Sequence, residues 1–341
     1  MKKIVLGKTG LEVNRLGFGG IPIQRVDEKR AVETVLHAVE GGVDFIDTAR
    51  GYTTSEQRIG MALQQTDRKV VLATKSHSRA SDKIRADLEK SLETLQRDYI
   101  DIYQCHGIRN DEDYEKVIAP GGAFEELNRA KEEGLIGHIG ATSHNLDLVE
   151  RILEDGFFET IMICFSFLEP AAGEKIIPKA ISKGIGVIAM KPFSGGVIEK
   201  SGLALKYVFN HEGVLVLAGI EHKDLFDENW KIFQGTHVLE DREKREIEEI
   251  QKEYDKQFCR RCDYCQPCTE GIPIQFVLGM RSIFKRTGKA ALQRSRTVTM
   301  LEKARECTEC GECEPRCPYE LPIPELIKKN IEWADEQIKS L

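Results

Sequence analysis

A chain of 341 residues is longer than the roughly 100–200 residues of one ordinary domain, although a single α/β barrel can occupy about 250. Its 49 Lys and Arg against 56 Asp and Glu are interspersed along the sequence, which excludes a nucleic-acid-binding face, and no stretch approaches the roughly 18 apolar residues of a membrane span. The opening MKKIVLGKTG lacks the apolar core of a signal peptide, so a soluble cytoplasmic protein is expected, where disulfides rarely persist and ten cysteines read as metal ligands or buried hydrophobes.

The first predicted element is a hairpin. KIVLGKTGLEV has two short apolar runs around Lys8-Thr9-Gly10 and is suited to cap the bottom of a barrel. Eight apolar runs come next: LGFGG, VDFIDTA, VVLATK, YIDIYQCH, IGHIGATS, TIMICFSF, GVIAMK and VLVLAGI. Each has strand length and is followed by a segment of helical period, as in SDKIRADLEKSLETL. Eight strand–helix repeats predict an α/β fold, a (β/α)8 TIM barrel. The rival, a doubly wound open sheet, would carry a GxGxxG turn after an early strand, and none stands there. Thr53 to Glu56 fits a helix capping box. After Asn229 the charged run LEDREKREIEEIQKEYDKQF predicts a solvated helix. The expected organisation is a barrel over 1–240, a helical linker over 241–257 and a small, mainly helical C-terminal domain over 258–341.

Eight of the ten cysteines lie in that small domain. Cys307, Cys310, Cys313 and Cys317, followed by Pro318, match the CxxCxxCxxxCP run of bacterial cluster-binding ferredoxins. Cys259, Cys262, Cys265 and Cys268 have a last gap of two residues instead of three, and Thr269 in place of proline. Three thiolates two residues apart wrap three corners of one cubane, and the fourth cysteine turns to the other cluster. The expected sets are therefore Cys259, Cys262, Cys265 and Cys317 for one [4Fe-4S] cluster, and Cys268, Cys307, Cys310 and Cys313 for a second. Tetrahedral zinc held by CxxC pairs is the alternative. Cys105 and Cys164 sit inside apolar runs and read as small core residues.

Chemistry in such a barrel sits at the C-terminal ends of the strands, which singles out Asp47, Tyr52, Lys75 and His106. Taken singly, each has a structural explanation: a turn, a solvated lysine, a satisfied polar strand end. The segments VDFIDTARGYTTSEQRIG, VVLATK and DIYQCH resemble signature regions of the aldo-keto reductases over about residues 4–230. The whole chain is similar to the ferredoxin-fused members of that family. The resemblance implies a catalytic Asp47, Tyr52, Lys75, His106 tetrad that reduces carbonyls with a nicotinamide cofactor. Tyr52 would give a proton to the carbonyl oxygen, Lys75 would ease loss of that proton, Asp47 would hold the ammonium and His106 would orient the substrate.

The resemblance also assigns cofactor contacts to Gly20, Thr142, Ser143, Met190, Lys191, Gly219 and Asn229. Two of these depart from the family pattern. Met190-Lys191 stands where a nicotinamide-stacking Tyr is common, and Gly219 where many NADPH-dependent members carry a base. A 2′-phosphate wants Arg or Lys, so NAD(P)H is expected with NADH favoured, and His222 and Lys223 are the nearby bases. A flavin is left open. Hydride transfer moves two electrons and each cluster one, so the expected oxidoreductase acts on a small carbonyl or alcohol and exchanges electrons with a partner protein. The alternatives are an electron-transfer or scaffold subunit with a silent barrel, and clusters that serve structure alone.

Overall fold

The computed structural model describes residues 3–288 and 292–339; residues 289–291, in the expected helical spacer between the two cysteine groups, lie outside the described residues, as do the two at each end. The hairpin forms first. β1 (Lys3–Val5) and β2 (Glu12–Asn14) pair antiparallel, Ile4 opposite Val13. Between them the chain makes a 3-10 turn over Gly7–Thr9, and Leu6 N–H donates to Leu11 O at 2.9 Å.

The eight apolar runs are the eight barrel strands. They are β3 (Leu16–Gly19), β4 (Phe45–Asp47), β5 (Val71–Ser76), β6 (Ile100–Cys105), β7 (Ile136–Ser143), β8 (Thr160–Cys164), β9 (Gly186–Met190) and β10 (Val214–Gly219), all parallel and closed by pairing of β10 with β3. Strands buried on both faces need continuous rather than alternating apolar sequence, which is why these runs are so legible. Phe45, Ala73, Ile102, Met162, Ile188, Leu215 and Leu217 fill the barrel, and Leu6 and Val13 of the hairpin join that cluster from the strands' N-terminal side. At the β10–β3 seam the buried Arg15 donates to the carbonyls of Phe209, His211 and Val214.

Helices α1 (Glu28–Glu40), α2 (Ser55–Leu63), α3 (Ser81–Leu95), α4 (Asp111–Ile118), α5 (Ala123–Glu132), α6 (Leu146–Asp155), α7 (Ile176–Ser182), α8 (Ser201–Phe209) and α9 (Lys223–Gln234) follow the strands. Their apolar stripes face inward; in α3 the buried residues are Ile84, Leu88, Ser91 and Leu95, at helical spacing. Asp27, Asn110 and Asn145 cap α1, α4 and α6 by accepting from amides three residues on. The capping box expected at Thr53 to Glu56 does not form. Thr53 has φ 37° and donates to Gln24, Thr54 occupies the N-cap without a side-chain bond, and Glu56 is buried. A capping box does form with Glu240 and Glu243, at the start of α10 (Asp241–Tyr254).

The chain divides into two compact units, one over 1–194 and 198–239, the other over 195–197 and 240–341. The helix expected as a linker, α10, thus groups with the second unit. That unit also contains α11 (Ile274–Leu278), α12 (Met280–Thr287), α13 (Ser295–Ala304) and α14 (Ile323–Lys339). Its core gathers Ile272, Ile274, Val277, Leu321, Ile323 and Ile327 around Cys265, with five more cysteines packed against it. Among the described residues no helix is long and apolar enough to cross a membrane.

The hairpin tolerates no side chain at Gly7, whose φ is 51° and where a Cβ would lie 2.3 Å from Gly184 O and 2.4 Å from Gly186 N. Gly7→Ala should lower stability by about 1–3 kcal/mol, read as a shift of the urea midpoint without a change of slope.

Candidate active site and cysteine cavities

At the C-terminal end of the barrel, β4 ends on Asp47 and β5 carries Lys75, brought together because Asp47 pairs with Ala73 in register. Lys75, 1% exposed, donates from Nζ to Asp47 Oδ1 at 2.5 Å and to Thr48 O at 2.7 Å. Asp47 Oδ2 accepts from Gln104 Nε2 at 3.0 Å; Gln104 lies on β6, paired with Lys75. Burial pulls the ammonium toward its neutral form, but Asp47 and Tyr52 outweigh it and leave the Lys75 pKa above its ordinary value. Burial raises the Asp47 carboxyl, and Lys75 and Gln104 oppose that.

Tyr52 stands in the loop between β4 and α2, hydrogen-bonded to Lys75, with Lys75 Nζ 5.1 Å from its ring centre. His106 follows β6 directly and meets the Tyr52 ring at 5.9 Å and 85°. The structure thus brings Asp47, Tyr52, Lys75 and His106 together. Burial, then the Lys75 ammonium, holds the His106 imidazole well below its ordinary pKa. Its Nδ1 is buried with no hydrogen-bond partner among the described residues. A buried N–H without an acceptor is rarer than a bare acceptor, which assigns the proton to Nε2.

Sequence reading missed two supports of this group. Glu56, 1% exposed, accepts from Arg50, from Thr74 Oγ1 at 2.8 Å and from Ser91 Oγ at 2.7 Å, tying α2, β5 and α3 together behind Lys75. His77 stacks on His106 at 3.9 Å and 15°. Nothing in the run TKSHSR marks this histidine, because the contact spans two strands.

The seven expected cofactor positions fall unequally. Thr142 and Ser143 end β7. Thr142 Oγ1 accepts from Gly107 N–H at 2.6 Å and keeps its own proton to donate, whereas Ser143 Oγ donates to Ile108 O and accepts from Asn145 N–H. Met190 ends β9, and Lys191 follows at φ 58° with Nζ 3.1 Å from His144 Nε2. Gly20 and Gly219 serve packing: a Cβ would lie 2.8 Å from Ser55 Oγ at the first and 2.9 Å from Pro22 Cγ at the second. Asn229 is buried in α9. Of the two nearby bases, Lys223 pairs with Glu33 at 3.1 Å and His222 lies 3.9 Å from Glu221.

In the second unit the cysteines surround two cavities. Cys259, Cys262, Cys265 and Cys317 line one, and Cys268, Cys307, Cys310 and Cys313 line the other. Each cavity thus receives three cysteines from one motif and one from the other. The two loops share a backbone course, since Arg261 and Asp263 have φ 62° and 70°, and the corresponding Glu309 and Gly311 have 55° and 75°. Left-handed residues turn amides toward the sulfurs, as Arg261 N–H to Cys259 Sγ at 3.4 Å shows. Burial pushes the free Cys259 thiol up to about 11 and Cys265 up to about 12, so a bound metal is what would hold them as thiolates. Cys105 and Cys164 are buried within β6 and β8.

The profile of the Aldo/keto reductase family matches residues 15–256, and that of the 4Fe-4S dicluster domain matches residues 258–322. The chain is 31% identical over 216 residues to L-galactose dehydrogenase of Arabidopsis thaliana, covering 58% of this chain and 67% of that one. It is 31% identical over 228 residues to the NADH-specific methylglyoxal reductase of Escherichia coli K12, covering 58% and 69%. An aldo-keto reductase of Bacillus halodurans in its holo form superposes with a TM-score of 0.63 at 26% identity, over 73% of this chain and 96% of that one.

Removing the carboxylate at Asp47 would leave a buried ammonium without its counter-charge. Asp47→Asn should cost about 3–5 kcal/mol at neutral pH. With its partner gone, Lys75 binds its proton more weakly folded than unfolded, so the variant, unlike the parent, should gain stability between about pH 7 and pH 9 in urea titrations.

Proposed function

The chain belongs to the aldo/keto reductase family and carries a ferredoxin-like iron–sulfur domain, and we propose that it interconverts a small carbonyl and its alcohol with NADH while two [4Fe-4S] clusters exchange electrons with a partner protein. It is an oxidoreductase. The observation that carries the reading is the Lys75 ammonium, fixed by Asp47 and Thr48 O and bonded to Tyr52.

In the reductive direction Tyr52 gives its phenolic proton to the carbonyl oxygen. The Lys75 ammonium stabilises the phenolate left behind, and Asp47 keeps that ammonium charged in a site too dry to hold it otherwise. The Nε2–H of His106 bonds the same oxygen and sets its direction. A reduced nicotinamide, when bound, supplies the hydride. The donor set fits such a cofactor: Thr142 has a proton for the carboxamide, Met190 offers an apolar surface for the ring, and Lys191 is a cation for the anionic portion. NADH is favoured because no Arg lies in α9 and Lys223 is paired with Glu33.

The iron–sulfur clusters, when bound, supply one-electron exchange. Four cysteines around each cavity support two clusters shared as Cys259, Cys262, Cys265, Cys317 and Cys268, Cys307, Cys310, Cys313. The CxxCxxCxxxCP run at Cys307 to Pro318 and the 4Fe-4S dicluster match over residues 258–322 favour a cubane over tetrahedral zinc.

Tyr52→Phe should lower kcat for carbonyl reduction by about 10²–10⁴ while NADH affinity, measured by fluorescence titration, stays at the parent value. A parent that binds neither nicotinamide with its clusters intact would instead point to a scaffold or electron-transfer subunit. For the clusters, anaerobic iron analysis of the parent should give about eight iron atoms per chain. Cys317→Ala should lose the signal of the cluster held by the first motif and retain the other in EPR of the reduced protein.

A further inference from the structure

We propose that His77 is a positioning residue for His106, holding that imidazole in one orientation and as the uncharged Nε2–H donor. The inference rests on reading His106 as the group that orients the substrate oxygen. His77 lies two residues beyond Lys75, after the end of β5, and its side chain is exposed at the surface. Its ring lies on that of His106 with centres 3.9 Å apart and planes 15° from parallel.

The stack is built from both sides. His77 Nδ1 is 3.0 Å from His106 O, so it carries a proton and donates to the backbone of the very residue whose ring it covers. Arg79 Nη2 donates to the same carbonyl at 2.9 Å and to Gly107 O at 3.1 Å, and Arg79 is itself fixed by both oxygens of Asp113 at 2.9 Å. Gly107 has φ 62°, and a Cβ there would come within 3.3 Å of His77 Cε1. Glycine keeps the space that the second ring needs. The other ring contact of His106 is with Tyr52 at 85°.

Two imidazoles at this spacing cannot both be charged without strong repulsion. The groups that act on His106 are Lys75, His77, His144 and Arg79, all bases, and of the carboxylates that face them Asp47 is taken up by Lys75 and Asp113 by Arg79. Burial lowers the pKa of His77 as well, but less than that of the more deeply buried His106, so His77 accepts an incoming proton first and its charge then helps to keep the proton off His106. Burial and Lys75 already hold the His106 imidazole low and a charged His77 adds to them, so below neutral pH, where a histidine ordinarily gains a proton, His106 remains a neutral donor.

The test is titration of holoprotein labelled with ¹⁵N-histidine, clusters oxidised and under argon, with His106 assigned by its loss in His106→Asn. In the parent, His106 should show the neutral Nε2–H pattern down to a midpoint well below that of an ordinary histidine. In His77→Phe, which keeps a stacking ring but no charge, the proton affinity of His106 should rise about tenfold. His77→Gln, which keeps a donor for the His106 carbonyl, is the second variant should Phe perturb folding, and the same rise is expected. An unchanged His106 titration in folded variants overturns the proposal, as does an Nδ1–H pattern in the parent. With a carbonyl substrate, the acid limb of kcat/KM should move by the same factor as the NMR midpoint. NMR midpoints that move while no carbonyl is reduced would leave the positioning role standing and remove the proposed reaction.

Discussion

One buried charge organises the mouth of the barrel. Lys75 is all but inaccessible to water, and an ammonium there survives only because a carboxylate and a carbonyl replace its hydration. Its partners come from neighbouring strands, Asp47 from β4 and Gln104 from β6, so parallel register is what delivers them. Tyr52 then has a cation beside it, and Glu56, tied to Thr74 and Ser91, keeps the next element from moving away. The strand order, the ion pair and the phenol beside it are one arrangement seen at three scales.

Much of this is written in local sequence, and the remainder is hidden for a physical reason. Strands buried on both sides need unbroken apolar runs, so all eight could be read directly, and residues that close those runs marked Asp47, Lys75 and His106. The capping box at Thr53 to Glu56 failed because a half-buried Arg50 and two hydroxyls compete for the Glu56 carboxylate more strongly than a helix end does. Arg15 and His77 act across the seam and across two strands, and pattern along a chain carries no trace of such partners. The glycines at 20 and 219, assigned by resemblance to cofactor contact, also pack closely, on Ser55 and Pro22.

The cysteine loops show the complementary case. Their spacing could be read at once, yet of the four left-handed positions only Gly311 announces itself as a glycine; Arg261, Asp263 and Glu309 adopt the same course against their own preference. Backbone strain of this kind persists when surrounding contacts over-determine it, and the packed core around Cys265 provides them. Nicotinamide chemistry moves electrons in pairs and iron–sulfur chemistry singly, and the two matched families bring both kinds into one chain.

The exchange of fourth cysteines has a consequence for how such a domain can change over time. Cys268 leaves its own motif to line the other cavity, and Cys317 does the same in reverse. Neither loop is a self-sufficient unit that could be deleted, borrowed or decay alone, because its loss would take a cysteine from the cavity that the other loop lines. Inheritance therefore acts on the pair, and a lineage can keep both motifs or neither far more easily than it can keep one.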